Sequence, residues 1–257
     1  MWRWCVLCRD SVRTRALLPP LLPLLWLAGL VMSLPLAAHA GRPITSEDGT
    51  GVKAGRCLVE VWGEREDQDR SWSVAQACGV WPGVELGIDL TRYQAGDPKW
   101  QRSAGLSLKL APEGWQWPTA LGPLSFELNL AMGYERPAGK AWHSSDASLT
   151  GMASLELGER WVVNAHLGTQ RERRTPSRSG NTTGSAGLGL SYQASERTEL
   201  FAELQSPLRR TGLAAAQRTL GSFVWLQPDV LGLSLSVGRA SGSTLWSAGI
   251  SRYGLGL

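Results

Sequence analysis

The chain has 257 residues, with 26 basic and 22 acidic side chains, a formal charge of +4, 13 tryptophans and four cysteines. That length suits one or two domains. Without the first 40 residues, 22 basic face 21 acidic side chains, a balance that excludes the one-signed footprint of a nucleic-acid-binding protein.

Residues 1–40 read as a secretory signal peptide: Arg3, Arg9, Arg13 and Arg15 precede an apolar run over 17–36, and Ala38-His39-Ala40 forms the cleavage signal. An uncleaved anchor is the alternative, but Pro19, Pro20, Pro23 and Pro35 make a poor spanning helix. Cleavage after Ala40 leaves Cys57 and Cys78 as the two cysteines of an exported chain. Residues 41–56 are polar and contain glycine, so they form either a periplasmic tail or a strap across the lower mouth of a barrel built from residue 57 onward.

From residue 57 to 257 the period is two. Leu86, Ile88 and Leu90 alternate with Glu85, Gly87 and Asp89; Leu128, Leu130 and Met132 alternate with Glu127, Asn129 and Ala131. Twelve strands are predicted, over 57–65, 71–79, 83–93, 99–110, 123–134, 147–157, 160–171, 184–194, 198–206, 217–226, 229–238 and 244–255. Most have the length a tilted strand needs to cross a bilayer, and no apolar run after residue 40 is long enough for a spanning helix. Connections after even-numbered strands are mostly tight, with 111–122 the longer exception, whereas 135–146, 171–183 and 207–217 are long and polar. Short turns at one end and long loops at the other, with an even strand count, predict an all-β fold: an antiparallel up-and-down transmembrane β-barrel of about 12 strands. Trp62, Trp72, Trp81, Trp161, Trp225 and Trp246 fall near strand ends, as at a membrane–water boundary, although a soluble sandwich core would also take them.

If 57–65 and 71–79 form a hairpin, residue i faces residue 135 − i, and Cys57 faces Cys78. Directly opposite residues come close enough for a disulfide. Two buried thiols are the alternative.

The stretches "GRPITSEDGTGVKAGRCLVEVW" (41–62) and "ACGVWPGVELGIDLTR" (77–92) resemble the opening of a family of Gram-negative outer-membrane β-barrels, putative transporters of the MetA-pathway phenol-degradation-like type. The family's opening is Arg-Pro, a Thr/Asp-rich segment, then Gly-x-Cys ahead of the first strand; here these are Arg42-Pro43, 45–48 and Gly55-Arg56-Cys57. The resemblance implies a transport role without naming a solute, and the remaining chain matches only in strand rhythm. The chain ends at Leu257 where many barrels end in Phe.

If the apolar stripe faces lipid, the polar stripe lines the lumen. Glu85, Asp89, Lys109, Glu127, Asn129, Glu156, His166, Glu199 and Glu203 are the candidate lining residues, with Glu60, Gln101, Asn164 and Gln193 on the same stripe. Carboxylates predominate, so an open lumen would favour cations; side chains that cross-link and fill a narrow barrel are the alternative. His143, Ser145 and Asp146 lie in a predicted outside loop and lack the fuller hydrolase signature, and the histidines lack metal-ligand spacing, so no catalytic residue, metal or cofactor is expected. Arg171, Arg173, Arg174 and Arg178 are candidates for lipopolysaccharide phosphates. The expected partners are outer-membrane lipid and lipopolysaccharide, the barrel-assembly machinery and a small-molecule solute. A non-conducting structural or docking barrel and a soluble periplasmic β-sandwich are the competing readings.

Overall fold

The computed structural model describes residues 51–96, 99–173, 181–208, 216–240 and 242–257. The signal peptide and residues 41–50 therefore lie outside the described residues, as do Arg174 and Arg178.

Strand β1 (Arg56–Glu66) leads through a turn at Asp67 into β2 (Asp69–Trp81), β3 (Val84–Gln94) and β4 (Gln101–Leu110). A short 3-10 turn, Glu113–Trp115, and the three-residue β5 (Gln116–Pro118) precede β6 (Pro123–Arg136), β7 (His143–Leu157) and β8 (Trp161–Glu172). The chain ends with β9 (Thr182–Ser195), β10 (Thr198–Pro207), β11 (Gln217–Gln227), β12 (Leu231–Ala240) and β13 (Ser243–Gly256). Each long strand pairs antiparallel with its neighbours in sequence, β4 pairs β6, and β1 pairs β13. The ring is a closed barrel of twelve strands, with β5 lying outside it as an extra pairing on β6. Closure leaves none of the twelve with an unpaired edge, as an edge in lipid would require.

All twelve predicted strands are present. The differences lie at their ends. β7 begins at His143, not at 147, so His143, Ser145 and Asp146 belong to a strand and not to a loop. Gly133 permits this extension: a Cβ there would run into the Asp146 carboxylate and the Ser145 hydroxyl, and a bulge follows between Gly133 and Tyr134. The connection 111–122 carries β5 and the 3-10 turn, where no element was expected.

The first hairpin turns at Asp67, which adopts a left-handed conformation with φ 49° suited to a tight two-residue connection. That turn sets the register Glu66↔Asp69 through Cys57↔Cys78. A disulfide joins Cys57 to Cys78, whose Cα atoms are 4.1 Å apart.

The barrel is inside-out relative to a soluble protein. Among the described residues, fifteen polar or charged side chains are buried against eight hydrophobic ones, so the interior is not an apolar core. Leu86, Ile88, Leu90, Leu167, Leu188, Leu220 and Leu235 stand exposed on the outer face. Two tryptophans depart from the boundary reading. Trp62 is 6% and Trp225 5% exposed, inside the barrel, whereas Trp72, Trp81 and Trp246 are 60% exposed or more. Trp62 shares the inward stripe with Glu60 and faces Gly249; Trp225 faces Gly232. A Cβ on Gly232 would run into the Phe223 ring, and one on Gly249 would crowd the Ser234 hydroxyl and the Trp62 Cβ, so both glycines keep the inner wall clear for its aromatic side chains.

Candidate functional site

Side chains alternate across a strand, so in a closed ring one parity points inward, and pairing carries it from strand to strand. The chain Ala75↔Asp89↔Gly105↔Gly133↔Asp146↔Glu172 follows the inward stripe around half the ring. Glu85, Asp89, Lys109, Glu127, Asn129, Glu156, His166, Glu199 and Glu203 all share that parity. Glu85, Lys109, Glu127, His166 and Glu203 are buried; Asp89, Asn129, Glu156 and Glu199 are of intermediate exposure.

Three of these residues come together near the end of the barrel that carries the disulfide. Glu85 stands directly across from Lys109 on the next strand, and Lys109 stands across from Asn129, which puts Glu127 on its diagonal. Lys109 Nζ is 4.0 Å from Glu85 Oε1 and 3.7 Å from Glu127 Oε2. One ammonium thus bridges two carboxylates on three adjacent strands. None of the three is more than 7% exposed.

The chain leading into β1 reaches this cluster. The Val52 amide donates to Glu85 Oε2 at 2.7 Å. Ala54 forms a parallel bridge with Gly79, whose carbonyl accepts from the Gly55 amide at 2.8 Å. Gly79 has the inward parity of β2, and a Cβ on it would run into the carbonyl oxygens of Val52 and Lys53. Residues 51–54 therefore lie against the inner wall at the terminal end of the barrel. The Leu257 amide donates to the Gly55 carbonyl at 3.3 Å, so the carboxyl terminus and the segment entering β1 meet there.

Elsewhere the inward stripe is built around glycines. The Asp89 carboxylate lies over Gly105 and the His166 ring over Gly187. Asn164 and Glu203 flank Gly189 from either side. The Ser251 hydroxyl donates to Glu60 Oε1 at 2.9 Å. Asn164 Oδ1 and His166 Nδ1 are buried with no hydrogen-bond partner among the described residues. The terminal end also carries an apolar patch: Phe223 and Trp225 ring centroids are 4.9 Å apart, and Trp225 and Tyr253 are 5.0 Å apart. Reading aromatics by their nearness to strand ends missed this patch. Their parity with Glu60 and Glu199 was the available signal.

Among the described residues the remaining polar motifs do not assemble. The Ser145 hydroxyl donates to Asp146 Oδ2 at 2.7 Å, and His143 hydrogen-bonds to neither. No group of three or more His, Cys, Asp or Glu among the described residues is arranged to hold a metal ion. Of the arginine cluster, Arg171 stands exposed on β8, and the Arg173 amide donates to the Ser145 carbonyl at 2.7 Å.

No family model and no curated protein matches the chain. Solved structures do share its fold. The KdgM porin in complex with disordered oligogalacturonate is similar with a TM-score of 0.58 at 9% identity, over 76% of this chain and 98% of that one. The NanC porin gives 0.54 at 8% identity, over 76% and 98%. An outer-membrane channel from Pseudomonas putida F1 gives 0.56 at 11% identity, over 83% of this chain and all of that one. The shared feature is the fold of outer-membrane porins and channels, spanned in each case from end to end.

Proposed function

We propose that this protein is an integral outer-membrane β-barrel whose carboxylate-rich lumen passes small solutes, with preference for cations. The observation that carries the reading is the inversion of the barrel. Large apolar side chains stand exposed along its outer face, and charged side chains are buried inside. Soluble monomers rarely expose apolar patches beyond a few hundred Å². Lipid around the outside removes that cost, and the polar groups inside are met by water, by a polar solute or, as at Lys109, by one another. A disulfide at the terminal end suits an oxidising periplasm. The residue resemblance at 41–62 and 77–92 and the likeness to porins point the same way, and the barrel-assembly machinery is the expected route of insertion.

Within this reading, residues 51–54 are the described part of a strap across the periplasmic mouth. Its supporting contacts are the Val52–Glu85 hydrogen bond and the Ala54–Gly79 bridge. A strap that fully blocks the mouth would make a non-conducting barrel, the second reading.

Planar-bilayer conductance of the refolded mature chain across a salt gradient tests both. Discrete steps with a cation-selective reversal potential are expected. Silence from chains proven to be inserted, both with and without residues 41–54, would overturn the channel reading in favour of a structural barrel.

A further inference from the structure

Charge is sorted radially in this barrel. Among the described strand residues every carboxylate has the inward parity, whereas Arg65, Arg70, Arg92, Arg102, Arg136, Arg171, Arg218 and Arg239 are exposed on the outer face. All eight lie toward the end opposite the termini. Like charges also stand directly opposite one another: Arg65↔Arg70, Arg218↔Arg239, and the run Arg92↔Arg102↔Arg136 across three strands. Such pairings are destabilising in a sheet unless something negative lies between them. No described carboxylate lies within ion-pair distance of Arg92, Arg102 or Arg136. Arg92 instead lies 4.4 Å from the Trp100 ring centroid.

Two arginines of that run line a groove on the outer face, with Arg136 directly opposite Arg102 on the next strand. Trp72, Val74, Leu90, Arg92, Arg102 and Trp142 line it, and it encloses about 400 Å³. Its two ends differ in chemistry. Val74 and Leu90, toward the barrel's middle, are 47% and 54% exposed and apolar. Arg92 and Arg102 cap the other end. An acyl chain along the first and a phosphate on the second would satisfy both, and guanidinium forks match phosphate geometry.

We propose that the outer face of β2, β3, β4 and β6 binds a phosphorylated glycolipid of the outer leaflet of the lipid A type, with its phosphate on Arg92, Arg102 and Arg136 and an acyl chain over Trp72, Val74 and Leu90. The proposal rests on the outer-membrane reading above. It differs from the loop-borne arginines expected from sequence, because strand registers fix these three at neighbouring positions on the sheet.

The test is native mass spectrometry of the folded chain in detergent, titrated with bisphosphorylated lipid A. The comparison ligands are dephosphorylated lipid A, phosphatidylglycerol and inorganic phosphate. Heat-modifiable gel mobility and vesicle insertion are read on every sample. Arg92→Gln with Arg102→Gln should weaken lipid A retention by about tenfold per arginine, since each removes a charge-assisted contact. Arg218→Gln with Arg239→Gln, an opposed pair outside this groove, should leave retention unchanged. Equal retention by the Arg92/Arg102 variant, or equal retention of dephosphorylated lipid A, would overturn the proposal. So would equal binding of phosphatidylglycerol, which marks a general anionic surface, or displacement by inorganic phosphate, which marks a free-anion site. A wild-type chain that inserts but fails to hold lipid A refutes this site alone; a chain that never inserts refutes the membrane reading with it.

Discussion

The disulfide offers the most quantitative test of the fold. Cys57 and Cys78 are separated by 21 residues, and the bond closes the β1–β2 hairpin at the end where β1 also pairs β13 to shut the ring. Replacing both with serine frees that loop in the unfolded chain. The chain-entropy relation for a loop of this length gives a loss of about 3 kcal/mol at room temperature. With a urea slope of about 2 kcal/mol/M, the unfolding midpoint should fall by about 1.5 M. Intrinsic tryptophan fluorescence of the folded barrel in detergent reads the midpoint, and reduction of the wild type by dithiothreitol should reproduce the variant. The bond also fixes the root of the leading segment, because Ala54 bridges Gly79 one residue beyond Cys78. Reduction should therefore also speed proteolysis within residues 51–54. A variant with an unchanged midpoint, beside a wild type whose two thiols are shown to be oxidised, would refute the claim that this bond restrains the seam. Two titratable thiols in the mature exported protein would refute the pairing itself.

Three further outcomes rest on the same geometry. Leu235→Arg, on a position 61% exposed on the outer face, should destabilise the inserted barrel by about 2–4 kcal/mol if that position lies near the bilayer midplane, read as a lower urea midpoint in vesicles. An equal midpoint would deny that this face meets lipid. Lys109→Met leaves Glu85 and Glu127 without their shared ammonium, so it should cost about 3–5 kcal/mol and make the reversal potential more cation-selective; adding Glu127→Gln should recover part of the stability. Gly79→Val places a side chain where the Val52 and Lys53 carbonyls lie, so it should release residues 51–54 and raise their cleavage rate by added protease, with the barrel still heat-modifiable.

The architecture was legible because a barrel wall repeats one rule. Runs such as Leu86-Gly87-Ile88-Asp89-Leu90 declare both the strand and its faces, and pairing the runs 57–65 and 71–79 about their midpoint gives the first register. What sequence could not supply was depth. Trp62 looks like a boundary aromatic because it lies near a strand end, yet its parity places it inside, opposite Gly249 on a strand nearly two hundred residues away. The same holds for the Lys109 bridge. Glu85, Lys109 and Glu127 are each readable as inward, but their meeting depends on β4 pairing β6 past the irregular connection 111–122, whose length hides the register. The start of β7 was missed because "WHSSD" is polar, and the room that Gly133 provides across the strand pair is invisible in a linear reading.

The near balance of charge in the mature chain conceals its strongest electrostatic feature. Summed over the molecule, 22 basic and 21 acidic side chains after residue 40 predict almost no field. Sorted by face, they do not cancel. Glu60, Glu85, Glu127 and Glu203 are buried inside with Lys109 among them, while Arg92, Arg102, Arg136, Arg218 and Arg239 are exposed outside. The wall and the lipid between the two faces keep the outer charges from screening the inner ones at short range, since the potential in a narrow lumen follows the charges that line it. On the channel reading proposed above, a solute in the lumen would meet an acidic surface, and a lipid headgroup at the outer rim would meet a basic one. Net charge and pI carry neither fact. The alternation of single strands carries both, because a period of two that separates leucine from serine separates arginine from glutamate by the same geometry.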